Sequence, residues 1–171
     1  TLIQIDAHAD LRDELDGETY SHACAIARSL DEGALAVHQV GIRAYCKQEL
    51  ELINSDERIH TWFAKDVMSP CTGAKAWAEW LESLTHVKGP VHLTIDIDGL
   101  DGALVPATGT PVPGGLSFWH VVQTIETVFA NCEVVSADVN EIVSQNDTPL
   151  TEFTAAMIAT KVAAAQIASL R

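Results

Sequence analysis

Short apolar runs alternate with amphipathic stretches along the whole chain, and that alternation predicts its elements. Residues 2–6, 35–41, 59–64, 91–96 and 133–139 read as five strands. Between them, 22–32, 47–54, 74–84 and 117–130 read as helices, and a last helix runs from Thr148-Pro149 to about residue 170. In the third helix Trp77, Trp80, Leu81 and Leu84 stand at i, i+3, i+4 and i+7, the stripe of a helix packed on a core. Ser117 supplies an N-cap, and Thr148-Pro149 supplies a cap followed by a proline at the first helical position. Strands that are apolar on both faces and separated by helices predict a mainly parallel sheet covered on both sides. The long irregular stretch at 99–115 is rich in Gly and Pro, and a loop of this length in a compact fold is usually functional.

Composition narrows the partners. The chain has 171 residues, 47% of them hydrophobic, which is one domain's worth of core. Ten Lys and Arg stand against 24 Asp and Glu, a net charge of −14. That balance excludes nucleic acid, whose phosphates need clustered cations, and disfavours an anionic membrane surface. Metal ions and cationic ligands remain as natural partners. No apolar run reaches the roughly 18 residues of a membrane span. Cys24, Cys46, Cys71 and Cys132 lie far apart with no C-x-x-C pair, as in a reducing, cytoplasmic setting. Thr1-Leu2-Ile3 opens directly on a core strand, so more of the domain is expected upstream.

In parallel sheets the functional residues follow the carboxyl ends of strands. After the first strand comes Asp6-Ala7-His8-Ala9-Asp10, and after the fourth Asp96-Ile97-Asp98-Gly99-Leu100-Asp101. Extended chain points i, i+2 and i+4 the same way, so Asp6, His8 and Asp10 converge, as do Asp96 and Asp98. Either run alone reads equally as a polar loop, a helix cap or a turn before glycine. Both together, at strand ends, favour a site for cations, because converging buried carboxylates repel unless paired, protonated or metal-bound. Carboxylates with one imidazole suit hard ions such as Mn²⁺ or Mg²⁺, and four carboxylates suggest two of them. Metal-activated hydrolysis is the matching reaction class. Asp101 reads as a loop-shaping carboxylate, Trp77 and Trp80 as core, and His38, His60, His86, His92 and His120 as ordinary core or surface histidines.

The motifs Asp6-Ala7-His8-Ala9-Asp10-Leu11-Arg12, Tyr20-Ser21-His22, Val40-Gly41-Ile42-Arg43, Thr94-Ile95-Asp96-Ile97-Asp98, Thr108-Gly109-Thr110-Pro111-Val112-Pro113-Gly114-Gly115 and Asp138-Val139-Asn140-Glu141 follow in order over the chain. Together they resemble the ureohydrolase (arginase/agmatinase) superfamily, and Asp-Leu-Arg-Asp-Glu with Tyr-Ser-His resembles its agmatinase branch. The resemblance implies a three-layer α/β/α fold with a mainly parallel doubly wound sheet. It makes residues 1–171 the C-terminal portion of a larger catalytic domain, missing its N-terminal part. It implies two Mn²⁺ per subunit in the complete protein, with Asp6 and Asp96 bridging, His8 and Asp98 on one ion and Asp10 on the other. Asp10, His22 and Glu141 take catalytic roles; His22 moves protons, and both His22 and Glu141 meet the substrate, Glu141 by pairing with its guanidinium. The implied reaction releases urea from a small cationic guanidino compound, agmatine giving putrescine. The implied assembly is a homo-oligomer, a trimer or hexamer.

Three departures stand out. The family's first ligand, a His in Gly-Gly-Asp-His, lies N-terminal to Asp6 and has no counterpart here. Asp101-Gly102 and Pro106-Ala107 replace the usual Asp-Pro and Pro-Gly. Arg12 and Ser21-His22-Ala23 replace the arginase features that hold an α-amino acid. Alternatives are another ureohydrolase substrate (guanidinobutyrate, arginine or formiminoglutamate) or a non-catalytic metal-binding homologue. A metal phosphoesterase explains the Asp/His runs but neither Glu141 nor the 108–116 loop.

Overall fold

The computed structural model describes residues 1–144 and 148–170. Five strands, β1 (Leu2–Ile5), β2 (Val37–Ile42), β3 (Ile59–Phe63), β4 (Pro90–Asp96) and β5 (Glu133–Asn140), form one sheet in the order β3-β2-β1-β4-β5. Every pairing is parallel. The helices are α1 (Ala25–Asp31), α2 (Lys47–Ser55), α3 (Ala64–Val67), α4 (Gly73–Leu84), α5 (Phe118–Asn131) and α6 (Leu150–Ser169). The chain winds outward from β1 to β3, then returns to place β4 on the other side of β1. Order reverses between β1 and β4, and the crevice beyond the carboxyl ends at such a reversal is where open α/β sheets bind ligands.

Alternation along each strand divides the core in two. Ile3, Ile5, Val40, Leu93 and Ile95 pack on α4, α5 and α6 through Trp80, Leu84, Val121, Ile125 and Ile158. Val37, Ile42 and Ile59 meet Leu30 and Ile26 of α1 and Leu52 of α2 on the opposite face. Trp80 is fully buried, donates its indole N–H to Thr124 over 3.0 Å and meets Trp62 edge-on. Together these make three layers, α/β/α, as the strand–helix alternation predicts.

Two local expectations are corrected, and one short helix, α3, is an addition. Cover on both sides holds for β1 and β2, whereas the edge strand β3 is partly open, with His60 exposed, and β5 is mostly exposed: its Val135 is 61% exposed, and the β4–β5 face away from α4–α6 carries His92, Thr94, Ser136 and Asp138. The final helix starts at Leu150 with Pro149 as its N-cap residue, and Thr148 makes no cap. The turn α3 is too short to show a hydrophobic period. Ser117 caps α5 as expected, its hydroxyl accepting from the His120 N–H.

Candidate metal centre

The site forms where β1 and β4 end. Past Ile5 the chain stays extended long enough for His8 to bridge to Ala44, and the Arg43 and Ala44 N–H groups both donate to the Ala7 carbonyl. Gly41 makes this possible: its φ is +96°, and a Cβ there would stand 2.9 Å from the Asp6 carbonyl oxygen. Past Asp96 the chain tightens into a 3-10 turn, Ile97–Gly99, in which the Asp98 N–H donates to the Asp96 side chain.

Asp6, His8 and Asp98 come together, each offering a ligand atom within 4.8 Å of the others'. His8 Nδ1 lies 3.1 Å from Asp98 Oδ2 and 3.5 Å from Asp6 Oδ1. Asp98 also accepts from the Ala7 N–H through Oδ1 and from the Thr110 hydroxyl through Oδ2. Asp6 accepts from the His8 N–H and the Gln4 amide. Asp6 and Asp98 are almost fully buried, and His8 is half-buried above them.

Asp10 and Asp96 line the same cleft, about 530 Å³, without joining the three-residue cluster. Asp10 arrives by a route that alternation misses. Its φ is +53°, and its carbonyl accepts the Ile26 and Ala27 N–H groups at the start of α1. Asp96 turns back on its own loop, accepting the Asp98 N–H over 2.9 Å. His22, at the start of a 3-10 turn leading into α1, and Glu141 are exposed on the rim of the same cleft. Glu141 has φ +58° and follows β5; Thr108 donates to its carbonyl, and Gly109 leaves space that a Cβ would fill 3.2 Å from Glu141 Oε2. All seven sequence-predicted site residues thus border or underlie one crevice.

The electrostatics are those of a cation site holding protons. Hydrogen bonds to Asp6 and Asp98 push His8 up to about 10. Burial, with the neighbouring carboxylates, lifts Asp10 to about 8 and Asp96 to about 9. Burial also raises Asp6, although the His8 hydrogen bond opposes it. Burial pushes Asp98 up as well, but its hydrogen bonds from His8 and the Ala7 N–H win and hold it below the ordinary carboxylate range. An oxygen-rich donor set with one imidazole, confined and protonated for want of positive charge, fits a hard divalent ion.

Four contributors escape the motif reading. Arg43 donates to the carbonyls of Gly41, Asp98, Gly99, Leu100 and Val112, stapling the β2 end to both loops of the site. Glu49, buried at the start of α2, accepts the Leu11 and Cys46 N–H groups and so ties the Asp10 loop down. Gln4 and Gln39 are amides in strands read as apolar, and that anomaly was the available signal. Asp101, by contrast, shapes the loop as its sequence position predicts, accepting from the N–H groups of Ala103, Gly114 and Gly115. Of the histidines set aside, His92 gains an acidic neighbour from the adjacent strand, Asp138 at 3.0 Å.

Comparison with known proteins accords with this geometry. The model of the Arginase family matches residues 1–165. The N(1)-aminopropylagmatine ureohydrolase of Synechocystis sp. is 34% identical over 162 residues, 95% of this chain and 51% of that protein. The agmatinase of Pyrococcus horikoshii is 34% identical over 158 residues, 92% of this chain and 52% of that protein. In the solved agmatine ureohydrolase of Thermoplasma volcanium the fold superposes with a TM-score of 0.81 at 28% identity, covering 96% of this chain and 54% of that one. The chain spans about half the length of the curated relatives it matches. With its motifs, its sheet order and these matches in agreement, the chain belongs to the arginase/agmatinase (ureohydrolase) superfamily.

Proposed function

We propose that the chain is the C-terminal portion of a catalytic domain that hydrolyses a guanidino C–N bond and releases urea, with agmatine as the first candidate substrate. The observation that carries the reading is the convergence of Asp6, His8 and Asp98 beneath a cleft that also holds Asp10, Asp96 and, on its rim, Glu141. Relatives named agmatinase and N(1)-aminopropylagmatine ureohydrolase support the substrate class, a guanidinium on an alkylamine tail.

In this reading Asp6, His8 and Asp98 hold one Mn²⁺, and Asp10 and Asp96 extend the donor set toward a second. Bound manganese supplies Lewis acidity, which makes water nucleophilic near neutral pH. The chain's own residues do the rest. Glu141 pairs with the planar guanidinium through charge-assisted hydrogen bonds and turns its carbon toward the buried cluster. His22, on the rim of the cleft, carries a proton to the departing amine. Arg43 and Glu49 keep the loops of the site in register. The acidic wall favours a cation over an anion.

The test is direct. The complete protein, of which this chain is a part, is loaded with Mn²⁺ and incubated with agmatine, N(1)-aminopropylagmatine, guanidinobutyrate, arginine and formiminoglutamate, and urea or formamide is measured. Urea from agmatine is expected; no release from any of the five would refute the assignment.

A further inference from the structure

Directly behind the candidate site, polar side chains occupy positions where a buried sheet normally carries apolar ones. Gln4 on β1 stands opposite Gln39 on β2, and Gln39 opposite Thr61 on β3. Paired residues of parallel strands face the same side, and Gln4 shares that side with Asp6, two residues on. Gln4 is 1% exposed and Gln39 0%. Each amide must therefore find partners within the protein, since a buried amide left unpaired is costly.

They find them in a single direction. The Thr61 hydroxyl donates to Gln39 Oε1 over 2.9 Å. Gln39 Nε2 donates to Gln4 Oε1 and to the Ala9 carbonyl. Gln4 Nε2 then donates to Asp6 Oδ2 over 2.8 Å. A flipped Gln4 would set its amino group against that of Gln39 and its oxygen against a carboxylate. The row therefore decides which end of the Gln4 amide meets Asp6.

The consequence falls on the Asp6 carboxylate. Oδ1 accepts the His8 N–H over 2.6 Å, and Oδ2 accepts Gln4. The backbone donor on Oδ1 and Gln4 on Oδ2 fix the plane of the carboxylate; a lone pair stays free on Oδ2 for a cation, and that on Oδ1 facing the His8 ring, 3.5 Å away, becomes free once the ring gives up its proton. Without Gln4, the only contacts resisting its rotation would be those of His8, both on Oδ1. We infer that Gln4 is a positioning residue for Asp6 as a metal ligand, and that Gln39, anchored by Thr61 and Ala9, holds Gln4 in the donating orientation. The inference rests on the metal centre proposed above.

Its test measures Mn²⁺ affinity of the full chain by competition with a fluorescent chelator, beside the melting temperature of the metal-free protein. Gln4→Met keeps the volume and removes the donor; a roughly 10–100-fold loss of affinity is expected, the range for lost orienting partners of metal ligands. Gln39→Met frees Gln4 to turn and should cost less, about 3–10-fold. The double variant should bind no more weakly than Gln4→Met alone, because Gln39 acts through Gln4. A purely structural role would lower the melting temperatures and leave the affinity of the folded variants within about twofold of the parent. That result overturns the inference, as do losses that multiply in the double variant. Where Gln4→Met fails to fold, an unchanged affinity in Gln39→Met overturns it equally. A parent chain that binds no manganese overturns the metal centre itself and this inference with it; a parent that binds, with variants that match it, overturns the inference alone.

Discussion

Loading the candidate centre with a divalent ion must expel protons, and the structure sets how many. His8 is raised to about 10 by Asp6 and Asp98, while burial raises Asp10 to about 8 and Asp96 to about 9. All three values exceed 7, so at pH 7 His8, Asp10 and Asp96 each carry a proton in the metal-free site, with Asp6 raised by burial beside them, and these groups ligate only without their protons. An ion on Asp6, His8 and Asp98 displaces at least the His8 proton, and one that reaches Asp10 and Asp96 displaces two more. Each proton displaced strengthens apparent affinity about tenfold per pH unit, so the first step gains about tenfold between pH 6 and 7. The assay is calorimetric titration of Mn²⁺ into the metal-free full chain, in buffers of equal pH but different ionisation enthalpy. The slope of heat against that enthalpy counts protons. His8→Asn should change the count at the first step, since it removes one titrating group and releases Asp6 and Asp98 from its hydrogen bonds, and His86→Asn, exposed and remote from the site, should not change it. Affinity that stays flat from pH 6 to 8, or no proton release at pH 7, would refute the reasoning.

The same protons act in the opposite sense on the metal-free protein. Folded Asp10 and Asp96 hold protons more tightly than unfolded carboxyls at 3.8. Their contribution to stability is full below that value and is lost as pH climbs to about 8 and 9. The His8 contribution is lost between 6.5 and about 10. The metal-free protein should therefore melt lower at pH 9 than at pH 6, with manganese narrowing the gap.

Arg43→Met strips the donor from five backbone carbonyls and should destabilise the protein by about 3 kcal/mol, read from urea midpoints; a change within 0.5 kcal/mol, the size of a neutral surface substitution, would contradict the staple. Burial and the neighbouring His60 press His38 down to about 4 from 6.5, so its contribution is lost as pH falls through that window. Melts of the parent against His38→Phe should diverge progressively toward pH 4, and a constant difference would refute this. The 171-residue chain prepared by itself should self-associate through the β5 edge, and Val135→Lys should reduce that association in sedimentation velocity. Identical sedimentation of the two would count against β5 as the sticky edge.

What could be read in advance follows from the range of the interactions involved. Strand positions are fixed by local apolar runs, and all five appear within two residues of where the pattern puts them. Asp6, His8 and Asp98 were legible because strand ends aim consecutive alternating side chains into one crevice. Asp10 reaches the cleft through a left-handed residue tied to α1, which no alternation rule encodes. Arg43 was visible as part of a motif but not as a staple, since its acceptors lie as far as 69 residues away in sequence. Exposure of β5 was invisible for a different reason: Val134, Val135 and Val139 read as buried because they are apolar, whatever does or does not lie over them.

The carboxylate cluster by itself suits any hydrolase that uses hard cations, so the substrate class depends on what surrounds it. A phosphate ester needs free cationic donors in the cleft. Arg43 lines it, but its guanidinium is committed to backbone carbonyls, and Arg12 lies 3.9 Å from Glu49. Glu141 stands on the rim with Gly109 cleared from its path, an acceptor with no comparable use for a phosphate. Glu141→Gln should therefore leave manganese binding intact and lower kcat/KM for agmatine about 10–100-fold, the worth of one charge-assisted hydrogen bond. Asp98→Asn should instead lose manganese and activity together. If Glu141→Gln shed manganese in step with activity, Glu141 would belong with the metal ligands; if it left kcat/KM unchanged, the guanidinium pairing would fall, and with it the strongest local argument for this substrate class.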